Sequence, residues 1–425
     1  MGRVLLDLVR DYHAGRTWGI TSVCSAHPLV LRAALRRGAA SGDPVLIEAT
    51  CNQVNHQGGY TGMQPADFVR MVADIALQEG CPMDQVILGG DHLGPNPWRH
   101  LPAEQAMEEA CKMMQAFVAA GFRKIHLDAS MGCAGEPEAL DDTTTAHRAA
   151  RLAQVAEDAA RAGSGDMPVY IIGTEVPPPG GADHALTVIE PTAASAARQT
   201  IAVHRRIFSD AGLAAMLDRA IGVVVQPGVE FGNHNVITYA PERARDLVAV
   251  LADEPGLIFE AHSTDYQGTP PLAALVLDGF AILKVGPELT FVLREALYAL
   301  DLIASDLVPG YGQRPLWQAM EDLMLAEPGH WLRHYPGDTA AQRLLRHYSL
   351  SDRIRYYWTH PQAETAVANL LTALRGKTLP LPLIWQHLPG AEDFADQPLE
   401  PEALLIWRVT CRLESYAAAC KPFQP

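Results

Sequence analysis

The stretch Val86-Ile87-Leu88-Gly89-Gly90-Asp91-His92-Leu93-Gly94-Pro95-Asn96 joins a short apolar run to a polar loop that glycine and proline interrupt. This pattern predicts a buried strand that ends at an Asp-His pair. Polar residues follow four other short apolar runs in the same way: Asp128, Glu175, His234 and His262. Because the carboxyl ends of parallel barrel strands meet on one face, these residues are expected to share a single site.

Strand-like and helix-like segments alternate through the first part of the chain. Helical stretches of about 10–20 residues separate eight predicted strands, which is typical of βαβ units and a parallel sheet. The predicted strands end at or near His27, Gln53, His92, Asp128, Glu175, Gln226, Ala261 and Val285. Eight units favour a closed (β/α)8 TIM barrel. An open doubly wound sheet is the alternative, but no G-x-G-x-x-G opens the first helix.

The strand pattern stops near residue 300, and helical periodicity continues beyond it. The segments 294–306, 315–326, 339–347, 360–375 and 401–419 are predicted helices. We therefore expect a barrel over 1–300 that carries the functional site and a C-terminal α-helical extension over 301–425. The extension contains one unusual segment, Tyr348-Ser-Leu-Ser-Asp-Arg-Ile-Arg-Tyr-Tyr-Trp358.

Composition limits the classes of partner. The chain has 425 residues, with 33 Lys+Arg against 49 Asp+Glu and a net charge of −16. That balance argues against nucleic acid or an anionic membrane as a partner, although a local pocket can still bind a small anion. No apolar segment approaches the roughly 18 residues of a membrane span, and the start does not read as a signal peptide. Seven cysteines, an odd number scattered over a long chain, indicate reduced thiols and a cytoplasmic location, and the lack of a C-x-x-C pair argues against a structural zinc knuckle.

The strand-end residues include a plausible metal-ligand set. Three imidazoles and one carboxylate, from His92, His234, His262 and Glu175, suit Zn²⁺, Co²⁺, Ni²⁺ or Mn²⁺. For each histidine alone, a surface or core position is the alternative, and for Asp91 it is a helix N-cap. A carboxylate at Glu175, next to an apolar strand, would need a partner if buried, which a metal would provide.

The same set resembles the class II, metal-dependent ketose-bisphosphate aldolases. In that family an Asp-His pair follows strand three, Asp-x-Ser follows strand four, a Glu ends strand five, and histidines close strands six and seven. The matching residues in this chain are Asp91-His92, Asp128-Ala129-Ser130, Glu175, His234 and His262. The resemblance implies the same fold and a metal at this end of the barrel.

A closer resemblance covers nearly the whole chain, to the tagatose-bisphosphate aldolase accessory-subunit family (GatZ/KbaZ type). It is carried by Ser22-Val-Cys-Ser-Ala-His27, Ile47-Glu-Ala-Thr50, Gly58-Gly-Tyr-Thr-Gly62, Gly90-Asp-His-Leu-Gly94, Lys124-Ile-His-Leu-Asp-Ala-Ser130, Gly173-Thr-Glu-Val-Pro177, Gln226-Pro-Gly-Val-Glu-Phe231, Glu260-Ala-His-Ser-Thr-Asp265 and Ser351-Asp-Arg-Ile-Arg-Tyr-Tyr-Trp358. Members include ketose-6-phosphate 4-epimerases and proteins regarded as non-catalytic. The resemblance implies a metal-dependent epimerase that interconverts D-fructose 6-phosphate and D-tagatose 6-phosphate. The alternative is a non-catalytic subunit that stabilises a class II D-tagatose-1,6-bisphosphate aldolase.

The chemistry of the substrate selects a mechanism for such an epimerase. C4 of a ketose is not α to the C2 carbonyl, so a carbanion at C4 has no resonance stabilisation. Transient oxidation would need a nicotinamide site, and none is visible in the sequence. Cleavage of C3–C4 and re-addition needs a base on O4, expected to be Asp91, with a divalent metal. The second acid is expected to be Glu175 if it is not a metal ligand, or Asp128.

Substrate contacts are expected from the loops after the late strands. The aldolase phosphate motifs are replaced here by His262-Ser-Thr-Asp265 and by Gly286-Pro-Glu-Leu-Thr290. The expected substrate-binding residues are Ser130, Ser263, Thr264, Asp265 and Gly286, joined by Arg353 and Arg355 if the extension folds over the barrel mouth. A surface-packed helix turn is the alternative for the two arginines. The expected partner is a small phosphorylated ketose, with a homo-oligomer or a class II aldolase catalytic subunit left open.

Overall fold

Eight parallel strands close into a barrel in the computed structural model, which describes residues 2–163, 165–173 and 189–421. The strands in chain order are β1 (Ile20–Val23), β2 (Val45–Thr50), β3 (Val86–Leu93), β4 (Lys124–Leu127), β5 (Val169–Ile172), β6 (Ala220–Val224), β7 (Glu230–Phe231), β8 (Val236–Ile237), β9 (Ile258–Ala261) and β10 (Phe280–Val285). Around the barrel the order is β1-β10-β9-β6-β5-β4-β3-β2, and β7 and β8 form a separate antiparallel pair. The predicted (β/α)8 barrel is confirmed.

Helices surround the barrel and continue beyond it. They are α1 (Gly2–His13), α2 (Pro28–Ser41), α3 (Pro65–Glu79), α4 (Ala103–Ala120), α5 (Asp142–Ala162), α6 (Ala194–Asp210), α7 (Ala214–Leu217), α8 (Pro241–Val248), α9 (Thr269–Leu277), α10 (Pro287–Leu307), α11 (Pro315–Ala326), α12 (Thr339–Tyr348), α13 (Pro361–Leu374), α14 (Leu381–His387) and α15 (Pro401–Cys420). Many begin with proline, whose fixed φ and missing N–H suit the first helical turn. No helix in the described ranges is long and apolar enough to cross a membrane.

Helix α1, which is not among the predicted elements, covers the amino-terminal end of the barrel. Its residues Leu5, Leu8 and Val9 are buried against apolar side chains that point into the barrel, including Ile87 and Ile171. This apolar layer fills the lower part of the barrel. The opposite end, where the carboxyl ends of the strands meet, is therefore the open one.

The C-terminal extension is helical, as predicted, and it returns to the barrel. No strand follows Val285 in the part of the chain that the structure describes. Helix α15 packs against α2, α9 and α10, and α10 itself spans residue 300. Between α12 and α13 the chain crosses the barrel mouth, where Tyr266 donates to the Leu350 carbonyl at 2.7 Å. The division into 1–300 and 301–425 stays a prediction.

Candidate functional site

A cleft of about 770 Å³ opens at the carboxyl ends of the barrel strands and is roofed by the segment between α12 and α13. Nine of the predicted site residues line it: Asp91, His92, Asp128, His262, Ser263, Asp265, Gly286, Arg353 and Arg355. The closed barrel is what brings them together, because these residues follow strands, or lie in a segment, far apart in sequence.

The floor of the cleft holds a compact group that we call the central cluster: Asp91, His92, His126 and His262. One ligand-capable atom from each residue lies within 4.8 Å of the others. The three imidazole centroids are 4.8, 4.9 and 5.2 Å apart, which is close to an equilateral triangle. The rings therefore surround one point at the barrel mouth.

Each imidazole of the central cluster has a ring nitrogen within 2.9 Å of an oxygen acceptor: Nδ1 of His92 at 2.7 Å from Asp128 Oδ2, Nε2 of His126 at 2.9 Å from the Gly173 carbonyl, and Nε2 of His262 at 2.9 Å from Glu260 Oε1. Such contacts fix the tautomer and place the lone pair on the other nitrogen. In agreement, Nδ1 of His126 accepts from the backbone N–H of His92 at 3.3 Å. The same nitrogen of His126, Nδ1, lies 3.2 Å from Asp91 Oδ1 within the cluster. The three rings are thus oriented as ligands.

Burial and neighbouring charges set the protonation states. Burial lowers the pKa of His262 well below its ordinary value, and the pKa of His126 is lowered for the same reason, aided by the nearby His92. Burial by itself raises the pKa of Asp128, but the hydrogen bond and charge of His92, together with His126 and Ser130, outweigh it and hold that pKa well below the usual range. Neutral imidazoles beside an ionised carboxylate suit cation binding.

Beneath the central cluster lies a second group of charged side chains, all facing the barrel interior. Lys124 Nζ lies 2.6 Å from both Glu48 Oε1 and Glu260 Oε2, and all three side chains are fully buried. Lys284 forms an ion pair with Asp91 and lies 3.5 Å from Glu260. Neither lysine is among the predicted site residues. Two of the three cluster histidines have a charged residue two positions before them, Lys124 before His126 and Glu260 before His262, and this is the sequence signal for Lys124. Lys284 has no such signal.

One of the predicted metal ligands, His234, does not enter the central cluster. His234 lies in the connection between β7 and β8, where its side chain is exposed. The hairpin carries it away from the end of β6, so the third imidazole is His126, which points inward from within β4. Glu175 lies outside the described residues.

The predicted polar contacts divide into two groups. Ser263 lines the cleft and donates to Glu230 Oε2 at 3.2 Å, and its φ of 51° is a left-handed backbone conformation uncommon for serine, as is the 49° of His92. Ser130 and Thr264 are not among the described residues that line the cleft. Ser130 donates to Asp128 Oδ1 at 3.1 Å and Thr264 to the Lys284 carbonyl at 2.6 Å, so both support other site residues.

Asp265 occupies the position where an anion would bind at the start of α10. Its Oδ1 accepts from the backbone N–H groups of Gly286 at 3.1 Å and Glu288 at 2.7 Å. Burial and the neighbouring Glu288 carboxyl raise the pKa of Asp265 to about 7. The Gly286 N–H is therefore already used within the protein, which argues against it as the phosphate donor.

Basic side chains line the outer part of the cleft: Arg99, Arg333, Arg353 and Arg355. Arg355 stacks on the Tyr356 ring at 4.5 Å and donates to the Asp352 carbonyl at 3.1 Å. Asp352 is in turn bonded to Arg294 Nε at 3.0 Å, on α10, which anchors the crossing segment to the barrel. The outer part of the cleft thus carries four arginines, whereas carboxylates such as Asp91 and Asp128 lie at its floor.

Comparison with known proteins gives consistent matches over almost the full length. A curated protein of Agrobacterium fabrum (strain C58 / ATCC 33970), D-tagatose 6-phosphate 4-epimerase, is 60% identical over 419 residues and 99% of each chain. A crystal structure from Sinorhizobium meliloti 1021, described as a probable tagatose 6 phosphate kinase, is 54% identical, with a TM-score of 0.86 over 95% of this chain and 100% of that one.

The names of those two relatives differ in the reaction that they state, but both name tagatose 6-phosphate. The model of one protein family matches residues 5–421. The resemblance stated from the sequence motifs is therefore confirmed, and the chain belongs to the D-tagatose-1,6-bisphosphate aldolase subunit GatZ/KbaZ-like family.

Proposed function

We propose that this protein is a metal-dependent ketose-6-phosphate 4-epimerase that interconverts D-fructose 6-phosphate and D-tagatose 6-phosphate. The observation that carries the proposal is the central cluster, in which three oriented imidazoles surround an acid-base group: Asp91, His92 and His262 line one cleft, and His126 is fully buried beside them. The 60% sequence identity of this chain to a curated D-tagatose 6-phosphate 4-epimerase supports the choice of reaction.

The donor set and the charge of its surroundings fit a divalent cation. The network of groups joined to the central cluster contains four carboxylates and two ammonium groups, which leaves two negative charges in excess: Glu48, Asp91, Asp128 and Glu260 against Lys124 and Lys284. Imidazole and carboxylate ligands suit Zn²⁺, Co²⁺, Ni²⁺ or Mn²⁺. His92, His126 and His262 would hold the ion, with Asp91 or Glu175 as a fourth ligand. When bound, the cation supplies Lewis-acid stabilisation of negative charge on the substrate.

Epimerisation then proceeds by breaking and re-forming one carbon–carbon bond. Asp91 accepts the O4 proton, the C3–C4 bond breaks, and its electron pair enters the C2–C3 enediolate while C4 becomes an aldehyde. The aldehyde turns its other face, C3–C4 forms again, and O4 takes back a proton, which inverts C4. Asp128, which also lines the cleft, is the candidate for the second proton carrier, and Glu175 is the alternative.

The reaction itself is testable with the purified protein. Protein loaded with each of the four metals is incubated with fructose 6-phosphate, and sugar phosphates are separated by chromatography. We expect tagatose 6-phosphate to form without ATP, nicotinamide or a second subunit. Triose products alone would indicate an aldolase, and ATP consumption a kinase. No turnover, with stabilisation of an added class II aldolase, would favour the accessory-subunit alternative.

The arginines of the outer cleft are proposed to bind the 6-phosphate, because a guanidinium donates two parallel hydrogen bonds to phosphate oxygens. We expect Arg355→Met to lower kcat/KM for fructose 6-phosphate by about 10- to 100-fold, the effect of losing a hydrogen bond to a charged group. Activity on fructose without phosphate should change far less. Arg343→Met is the matched control, since Arg343 stacks on Trp317 at 4.7 Å outside the cleft. An equal loss with both substrates would contradict the assignment.

A cytoplasmic location is also proposed. Every cysteine of the chain has a free thiol, half-buried or buried, as is usual in a reducing compartment. The state of assembly, alone or with an aldolase catalytic subunit, can be measured by light scattering with and without that subunit.

A further inference from the structure

Three fully buried charged side chains form a bridge directly beneath the central cluster, which we call the lower bridge: Glu48, Lys124 and Glu260. Lys124 Nζ lies 2.6 Å from a carboxylate oxygen of each neighbour, and Ser22 Oγ donates to Glu48 Oε1 at 2.7 Å. Burial raises the pKa of Glu48, but the ammonium groups of Lys124 and Lys284 outweigh it, so that this pKa is lowered overall. Glu48 and Lys124 therefore form a buried ion pair.

The lower bridge lies in register with the central cluster because side chains alternate in direction along each barrel strand. Inward-facing residues of a strand recur every second position, so Lys124 lies one layer below His126 and Glu260 one layer below His262. On β3 the position below Asp91 is Gly89. A Cβ at Gly89 would lie 2.6 Å from Glu48 Cγ, so β3 leaves room for the Glu48 side chain where any other residue would displace it.

Stability does not account for this arrangement. Removing charges from water offsets most or all of their mutual attraction, and apolar side chains of similar volume are often equally stabilising. The interior of a barrel is ordinarily filled by branched apolar residues. What distinguishes the lower bridge is instead its contact with the central cluster, in which Glu260 Oε1 lies 2.9 Å from Nε2 of His262.

We propose that Lys124 is a positioning residue for the metal site: by bridging Glu48 and Glu260 it holds the Glu260 carboxylate where it accepts from Nε2 of His262, so that the lone pair of His262 is on Nδ1. The inference rests on the metal site of the proposed function and assigns a role to residues outside the ligand set. Lys124 acts through two other side chains and does not contact the ion or the substrate.

The test measures cobalt binding, which is separate from catalysis. Purified protein is titrated with Co²⁺, and both the dissociation constant and the visible absorption of the bound ion are recorded. Lys124→Met is expected to weaken Co²⁺ binding by about 10- to 100-fold, the usual effect of losing a group that orients a ligand, and to alter the visible spectrum. The double variant Glu48→Gln/Lys124→Met removes one charge of each sign and is expected to have the same effect on Co²⁺ binding. It replaces the single variant in the titration if Lys124→Met does not fold.

Glu321→Gln is the matched control. Glu321 is also buried, and it bonds Arg346 Nε at 2.8 Å and His347 Nε2 at 3.0 Å, in the helical extension rather than in the barrel. We expect this variant to lower the melting temperature as Lys124→Met does, with unchanged Co²⁺ affinity. Wild-type affinity in Lys124→Met and the double variant, or an equal loss in Glu321→Gln, would overturn the proposal.

The outcomes for the lower bridge and for the proposed function are separable. A wild-type protein that does not bind Co²⁺ would overturn the inference together with its metal site. A wild-type protein that binds Co²⁺, with weaker binding in Lys124→Met but no epimerisation of fructose 6-phosphate, would support the lower bridge while the proposed reaction fails.

Discussion

His126→Ala is expected to abolish stoichiometric metal binding and epimerase activity together, whereas His234→Ala should leave both close to the wild-type level. His126 is fully buried, and its ring lies 4.8 Å from that of His92 and 5.2 Å from that of His262. His234 is exposed in the connection between β7 and β8. Losing a residue that hydrogen-bonds to a metal ligand typically weakens metal affinity by roughly 10- to 100-fold, so losing the ligand itself should weaken it by more.

The measurement is metal content after dialysis, followed by the affinity for Zn²⁺ against a chelator of known strength. Both variants exchange the same side chain for alanine, so His234→Ala controls for the loss of a histidine. Circular dichroism shows whether His126→Ala keeps its fold. If His234→Ala loses the metal while His126→Ala retains it, the ligand set predicted from strand ends is right and the central cluster is not the site.

These two histidines show why the sequence predicts part of the site and not the rest. Asp91, His92 and His262 come at or just after the ends of apolar runs, and parallel strands deliver such residues to one face. His126 stands inside β4. Because barrel strands are buried on both faces, their residues form nearly continuous apolar runs, and the inward-facing positions cannot be read from alternation. His234 looks equivalent in sequence, but it lies in the turn of the short antiparallel hairpin that follows β6.

The fold is easier to predict than the site for a related physical reason. Strand and helix periods are local, and each of the eight strands is visible from its own apolar run. The position of the C-terminal extension over the barrel depends on contacts between residues far apart in sequence, such as that of Asp352 with Arg294. A local sequence pattern cannot predict such contacts. The same holds for the pairing of Lys124 with Glu48 and Glu260, whose strands β4, β2 and β9 are not adjacent, so that the three side chains meet only across the interior of the closed barrel.

Asp91→Asn should lower kcat for fructose 6-phosphate by about 10²- to 10⁴-fold, the usual effect of removing a positioned general base. Asn keeps the size of the side chain and one oxygen acceptor but cannot take the O4 proton. Asp91 is 2% exposed and lines the cleft, and its Oδ1 lies 3.2 Å from Nδ1 of His126. Since the three imidazoles survive, the protein should still bind the metal.

Metal content and kcat at saturating substrate distinguish the two roles open to this carboxylate. Retained metal with a large loss of kcat identifies Asp91 as the base, and metal loss in proportion to activity would identify it as a ligand instead. Asp301→Asn is the control, because Asp301 is fully buried but accepts from backbone N–H groups of α11, away from the cleft. It should reduce stability and leave kcat near the wild-type value. A kcat for Asp91→Asn within a few-fold of wild type would exclude Asp91 as the group that removes the O4 proton. That role would then fall to Asp128, a carboxylate that lines the described cleft next to the central cluster and is held ionised beside His92.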